Sequence, residues 1–398
     1  MSTLRRNLCM VLLTLLGLSL GCSEFVVIGI ETELAASFGI TLQHVGMAMS
    51  AYALAFAICT PVLAVATGRF RRYTLLLIYT ALFCIGNAVA AFAPTFDILL
   101  AARVLIGAVS GALLPLGVTY VPELLGRQHA SLGISVVYSA FSVAMVVATS
   151  AGKAVADALD WRVAMIAAFV LGVAVCVALV AVLPRAGATD EPASARDQLV
   201  LLREPPVLCG VAIFVFGVGS VYTFYGYVTP YLEQVLHLSA AAVGGVLIAY
   251  GTATLVSNLA SGVLADRVGM RALVPSFLVQ AALLAGLFAL GGAAGPAVAV
   301  IIGIGVSMYL VSVPCVAMFM KTAYDRHPRA LTLASSLEPM AFNIGIAFGT
   351  AVGGAVVAGP GIRYAGAVGA VFSLVACALV VLCLYLIRRA RVRPQAAA

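Results

Sequence analysis

Four ionisable residues stand inside long apolar stretches: Glu24, Glu31, Arg103 and Glu338. A charged side chain at the centre of a hydrocarbon layer costs at least about 2.5–3.5 kcal/mol, so each needs a reason to be there. A carboxyl in such a place can take up and release a proton, and a neighbouring cation favours its ionised form. Glu24 and Glu31 are seven residues apart, close to two helical turns, and share one helix face. Glu31 is therefore either a second proton or cation site or a solvated charge at the mouth of its helix. Glu338 precedes Pro339, with Asn343 five residues on. It either reaches a polar cavity or makes a helix-end contact in the turn before proline. A fifth feature is aromatic. Residues 214–231 include Tyr222 and Tyr225, which share a helix face at i, i+3. Such a wall suits a flat or amphipathic organic molecule and could hold a cation. Tyr231, near the end of that stretch, reads as a tyrosine of the lipid–water interface.

Other chemistry is excluded. No G-x-x-x-x-G-K-S/T loop is present and the only lysines are Lys153 and Lys321, which argues against nucleotide-driven work. His44, His129, His237 and His327 all fall near loops, with no nucleophile or metal-ligand spacing around them. The nine cysteines lie in apolar runs and read as small hydrophobes in helix packing. No catalytic residue, no metal site and no cofactor is expected.

The elements that must position these residues are set by composition. Of 398 residues, 63% are hydrophobic and 9% charged, against about 25% charged in soluble domains. Mean hydropathy is +1.14. The apolar runs are continuous and about twenty residues long, the length of a membrane-spanning helix rather than of a barrel strand. Spans are predicted at 8–30, 43–66, 73–93, 97–120, 130–156, 162–183, 206–231, 240–263, 272–292, 296–320, 331–357 and 364–387. The run ending LSLGC at 18–22 is similar to a secretory signal, but its apolar pattern continues to about Ile30, which makes it the first span.

Basic residues orient the bundle. Eighteen of the twenty-two Lys and Arg fall at the N-terminus, after every second span, in the middle stretch and in the tail. The positive-inside rule places these in the cytoplasm, with both termini, and requires an even number of spans. The net charge of +7 is thus topology and not nucleic-acid binding. The tail RRARVR at 388–393 is a stop-transfer anchor that can also touch anionic lipid heads. The chain repeats weakly: a basic-rich turn follows the second span of each half, with Arg69 and Arg267 half a chain apart. The expected layout is residues 1–185 as one six-helix bundle, 186–204 as a cytoplasmic linker and 205–398 as a second six-helix bundle with a short basic tail.

Within this layout GVLADRVGMR at 262–271 resembles the loop signature of the major facilitator superfamily, G-x-L-a-D-R-x-G-R/K-R/K. The first-half copy at 64–77 is degraded, with Gly68 at the place of the usual Asp. AARVLIGAVSGALLP at 101–115 is similar to the family's fourth-span motif through Arg103, Gly107 and Gly111. SEFVVIGI at 23–30, DWR at 160–162 and AFNIGIAFGTAVGG at 341–354 narrow the resemblance to the drug:proton antiporter branch and its arabinose-efflux-permease-like group. One stretch departs: ATSAGKAVADAL at 148–159 keeps Gly152 but lacks the branch's adjoining proline and carries Lys153 instead.

The resemblance implies an all-α membrane protein of major facilitator fold, twelve helices in two six-helix halves. It implies a bacterial inner-membrane transporter, not an enzyme, that exports a small organic molecule of drug, sugar or nucleobase type in exchange for protons. Its partners would be the substrate, protons and the lipid bilayer, with no nucleic acid, and monomer is the expected state. Uptake by the same fold is the alternative; a polytopic enzyme or a transporter-like sensor would need a catalytic cluster or an output domain. In the family fold spans one and four line a cavity, so Glu24 and Arg103, each about 9 Å from the outer end of its span at 1.5 Å per residue, are expected to approach each other as the proton-coupling pair. Tyr222, Tyr225, Glu338 and Asn343 would face substrate. Gly68, Arg69, Arg72, Gly262, Asp266, Arg267, Gly269 and Arg271 would form a gating motif that latches cytoplasmic helix ends.

Overall fold

A backbone immersed in lipid has no water to bond, so every N–H and C=O must be satisfied inside its own helix or by a neighbour. A computed structural model of the chain describes residues 3–67, 70–126, 130–183 and 199–392, and among the described residues there is no strand. Among the described residues twelve helical segments are long and apolar enough to cross a membrane. The chain divides into two compact units, residues 1–192 with 238–251 and residues 193–237 with 252–398. Most of the expected linker 186–204 lies outside the described residues.

The first six spans are built from α1 (Thr3–Gly29), α2 (Glu31–Phe38), α3 (Leu42–Thr67), α4 (Arg72–Ala91), α5 (Phe96–Val118), α6 (Val121–Leu125), α7 (Ala130–Ala158) and α8 (Trp161–Val182). The last six are α9 (Pro205–Tyr225), α10 (Val228–Gln234), α11 (Ala240–Arg267), α12 (Leu273–Leu290), α13 (Ala294–Met308), α14 (Ser312–Arg326), α15 (Leu331–Ala358) and α16 (Ala365–Val392). Four starts among the described residues are capped by side chains: His44 N–H donates to Thr41 Oγ1, Ile98 N–H to Thr95 Oγ1, Arg162 N–H to Asp160 Oδ1 and Ala242 N–H to Ser239 Oγ.

The helices expected for spans one (8–30) and four (97–120) are continuous, as α1 and α5, and each is followed by a separate short helix, after Ile30 and after Thr119–Tyr120. Those expected for spans seven (206–231) and ten (296–320) are corrected: they split at Gly226–Tyr227 and Tyr309–Val311. A helix break thus falls in or just after the first and fourth spans of each half. The break in span ten is held by α11. Tyr309 N–H donates to Ser257 Oγ at 2.9 Å, Val313 N–H donates to Ser261 Oγ at 3.0 Å, and Ser261 Oγ donates to Leu310 O at 3.1 Å. Two serines four residues apart on one helix face thus satisfy backbone groups that the helix no longer can.

Each half packs its spans in the same pairs. In the first, α1 lies on α7 and α8, and α4 on α5 and α8; in the second, α9 lies on α15 and α16, and α12 on α13 and α16. Each also carries one buried polar bridge between its first and third spans. Ser23 Oγ donates to Asn87 Oδ1 at 2.6 Å, and Gln280 Nε2 donates to Ser220 Oγ at 2.6 Å and to Gly217 O at 3.0 Å.

Candidate functional site

The fourth-span motif acquires a physical account residue by residue. Gly107 and Gly111 face the carbonyls of Tyr52 and Phe56 on α3, where any side chain would collide, so they let two backbones close up. One turn earlier on α5, Arg103 is wholly buried. Its Nη2 donates to Glu24 O at 2.9 Å, its Nη1 donates to Ser23 O, and its guanidinium lies 4.4 Å from the centre of the Tyr52 ring. The expected approach of Arg103 to Glu24 is thus realised through the backbone of α1 and not through the carboxyl. That carboxyl is itself buried, at 1% exposure, and neither of its oxygens has a hydrogen-bond partner among the described residues. The two charged groups are close enough to act on each other through space.

Glu31 is not a solvated charge at the mouth: it opens α2 and is fully buried. Beside it lies a cluster that the sequence reading did not assemble. Lys153 on α7, 3% exposed, donates from Nζ to Glu33 Oε1 on α2 at 2.6 Å and pairs with Asp157 Oδ1 at 2.8 Å. The available signals were the i, i+4 spacing of Lys153 and Asp157 and the paired acids of 31–33.

In the second half Tyr222 and Tyr225 are fully buried and meet edge to face at 5.7 Å. Tyr222 also meets Phe342 at 6.4 Å, and Phe342 stacks on Tyr309 at 5.2 Å. Tyr309 is not singled out by the sequence, and Phe342 only as part of the stretch 341–354; the break in span ten places Tyr309 at a helix end, where it meets Phe342. Asn343, next to Phe342, donates from Nδ2 to Pro339 O at 3.0 Å, while its buried Oδ1 has no partner among the described residues. Glu338 lies within the continuous helix α15, so it is not a helix-end contact, and its neighbours are Ser312 and Cys315 in the first turn of α14. Tyr231 is corrected from an interface tyrosine to a buried one, 2% exposed, packed edge to face on Phe224 at 5.1 Å.

The gating motif is less of a loop than expected. Gly262, Asp266 and Arg267 are the last turns of α11, and only Gly269 and Arg271 lie in the single 3-10 turn that follows. Gly269 has φ of 66°, a left-handed conformation that glycine adopts without cost. Asp266, Arg267 and Arg271 are exposed and, among the described residues, have neither ion-pair nor hydrogen-bond partners. Arg72 pairs with Glu123 on α6 at 2.7 Å, within its own half. In the second half Glu204, at the start of span seven, accepts from Arg326 at 2.7 Å and meets His327 at 3.0 Å at the end of span ten. Gly68 and Arg69 lie outside the described residues.

Known proteins resemble this chain over its whole architecture. An inner membrane transport protein, YdhP, of Escherichia coli K12 is 28% identical over 91% of this chain and 92% of its own. The MFS-type transporter YtbD of Bacillus subtilis is 28% identical over 85% of both chains. A protein named probable sugar efflux transporter, from Mannheimia succiniciproducens, is 24% identical over 89% of this chain and 88% of its own. Among solved structures, a bacterial homologue of the human lysosomal transporter Spinster superposes with a TM-score of 0.76 at 15% identity, covering 98% of this chain and 99% of that one, which speaks to the fold. Residues 13–337 match the sequence profile of the Major Facilitator Superfamily. With twelve apolar helices among the described residues and a packing repeated in its two halves, this chain belongs to the Major Facilitator Superfamily and is a membrane transporter, not an enzyme.

Proposed function

We propose that the protein exports a small organic molecule across the bacterial inner membrane in exchange for protons, by alternating access of its two halves, residues 1–185 and 205–398. The observation that carries this reading is the Glu24 carboxyl: buried, without a hydrogen-bond partner among the described residues, and one helix away from a buried arginine spent on backbone carbonyls. A static ion pair would join carboxylate to guanidinium. A carboxyl held close to the cation but unbonded is suited to gain and lose a proton as its surroundings open and close. Broken spans mark the binding region of such folds, and the Tyr222–Tyr225–Phe342–Tyr309 cluster adjoins the break in span ten. Aromatic faces beside the unpartnered Asn343 Oδ1 favour a flat or amphipathic molecule bearing an N–H or O–H donor. Export rather than uptake is supported by the efflux name of one relative. Both termini and the exposed Asp266, Arg267 and Arg271 lie on the cytoplasmic side in this reading, where the arginines engage as the transporter cycles.

The test is substrate-induced proton movement in inside-out vesicles across a panel of antibiotics, cationic dyes, sugars and nucleobases. A substrate that collapses the pH gradient with the wild type, and fails to with Glu24→Gln, supports the reading. The variant should still exchange labelled for unlabelled substrate, which shows that it is folded. Full proton coupling in Glu24→Gln would sink the assignment.

A further inference from the structure

A cleft of about 390 Å³ opens on the second half where α11, α12 and α13 meet, within the usual size range of ligand sites, about 300–1,000 Å³. Its walls are apolar: Leu264 and Val268 from the end of α11, Ala272 and Val279 from the turn and helix that follow, Val306 and Leu310 from span ten. The two hydroxyls in it are already spent, Ser276 Oγ donating to Ala272 O and Ser307 Oγ donating to Ile304 O, each at 2.8 Å. Nothing in the cleft asks for a polar ligand. From Ala272 to Val279 it runs about 10 Å along α12 at 1.5 Å per residue. That length accommodates part of one acyl chain, since each leaflet of a hydrocarbon core is about 15 Å deep. At the helix-end side the lining residues Val268 and Ala272 are each preceded by an exposed arginine, Arg267 and Arg271, neither with a partner among the described residues. Asp266 stands in the same turn, which leaves one net positive charge on the three.

We propose that this cleft binds one phospholipid with an anionic headgroup, its acyl chain between α11, α12 and α13 and its phosphate on Arg267 and Arg271. Basic residues at the polar edge of an apolar groove between spans are the physical arrangement that recognises such lipids. The assignment rests on the second half alone and does not depend on the transported substrate or on proton coupling.

Native mass spectrometry of the detergent-purified full chain, titrated with phosphatidylglycerol and with phosphatidylcholine of identical chains, tests it. One phosphatidylglycerol should bind in preference to phosphatidylcholine. Arg267→Gln and Arg271→Gln should each lower its affinity about fivefold, the worth of one basic residue near an anionic surface. Val306→Trp, a change on a lipid-facing wall, should fill the cleft and weaken binding with both arginines intact. Arg388→Gln with Arg389→Gln in the tail should leave binding unchanged. Equal binding of both lipids, or loss on changing the tail with the cleft variants unaffected, would overturn the site. Melting temperatures of all variants within a few degrees of the wild type separate lost binding from lost folding.

Discussion

Arg103 shows how a single side chain does two things with one geometry. Two of its five donors reach successive carbonyls of α1, and its flat face lies on Tyr52. Lysine keeps the charge but has neither the planar fork nor the stacking face. Arg103→Lys should therefore cut transport about 10- to 100-fold, the equivalent of one lost charged hydrogen bond of about 1.5–3 kcal/mol, with the protein still in the membrane; vesicle uptake rates read this directly. Lys153 belongs to the same scale. Removing its charge leaves Glu33 and Asp157 facing each other, each partly exposed, so Lys153→Met should cost about 1–2 kcal/mol rather than the larger penalty of a fully buried pair. Glu33→Gln added to it should recover part of the loss in thermal melts. An additive double variant would mean the pair does not hold α2 to α7.

Helices and turns make the sharper distinctions. Gly262 and Gly269 belong to one motif, but their environments oppose each other. Gly262 sits inside α11 with open space where a Cβ would go, so Gly262→Ala should be neutral or stabilise by about 0.5–1 kcal/mol. Gly269 is left-handed, and Gly269→Ala should cost about 1–2 kcal/mol. Melting temperatures of the two variants should move in opposite directions. The break in span ten offers a second test. Ser257→Ala and Ser261→Ala each strand a backbone N–H inside the bundle, at about 1 kcal/mol each.

Across the whole molecule the repeat governs. Both halves pair their spans alike and bury one polar bridge between first and third spans, yet the buried charge is unevenly shared. Glu24, Glu31, Arg103 and Lys153 are in the first half, and the aromatic cluster is in the second. One half thus holds these buried charges and the other the aromatic cluster, the division that the proposed function uses. Orientation is testable at this scale because all nine cysteines are buried or half-buried. On the proposed orientation Leu159→Cys, in the exposed turn between spans five and six, should react with an impermeant thiol reagent in whole cells. Tyr324→Cys, exposed near the end of span ten, should react only in inside-out vesicles. Reversed labelling would invert the topology.

The twelve spans and the family were legible in the sequence because lipid leaves a twenty-residue apolar run one choice, a helix, and because the motif around Asp266 and the Arg103–Gly107–Gly111 spacing are local patterns. The need for a special residue at Gly269 was legible for the same reason. What only the tertiary structure decided depends on partners distant in the chain. Arg103 bonds backbone carbonyls, which no side chain on α1 could announce, and Lys153 finds Glu33 across 120 residues. The breaks in spans seven and ten lie inside apolar runs. In span ten the freed backbone groups are met by serines some fifty residues away. A hydropathy pattern records how much a residue avoids water; it does not record which buried group answers it.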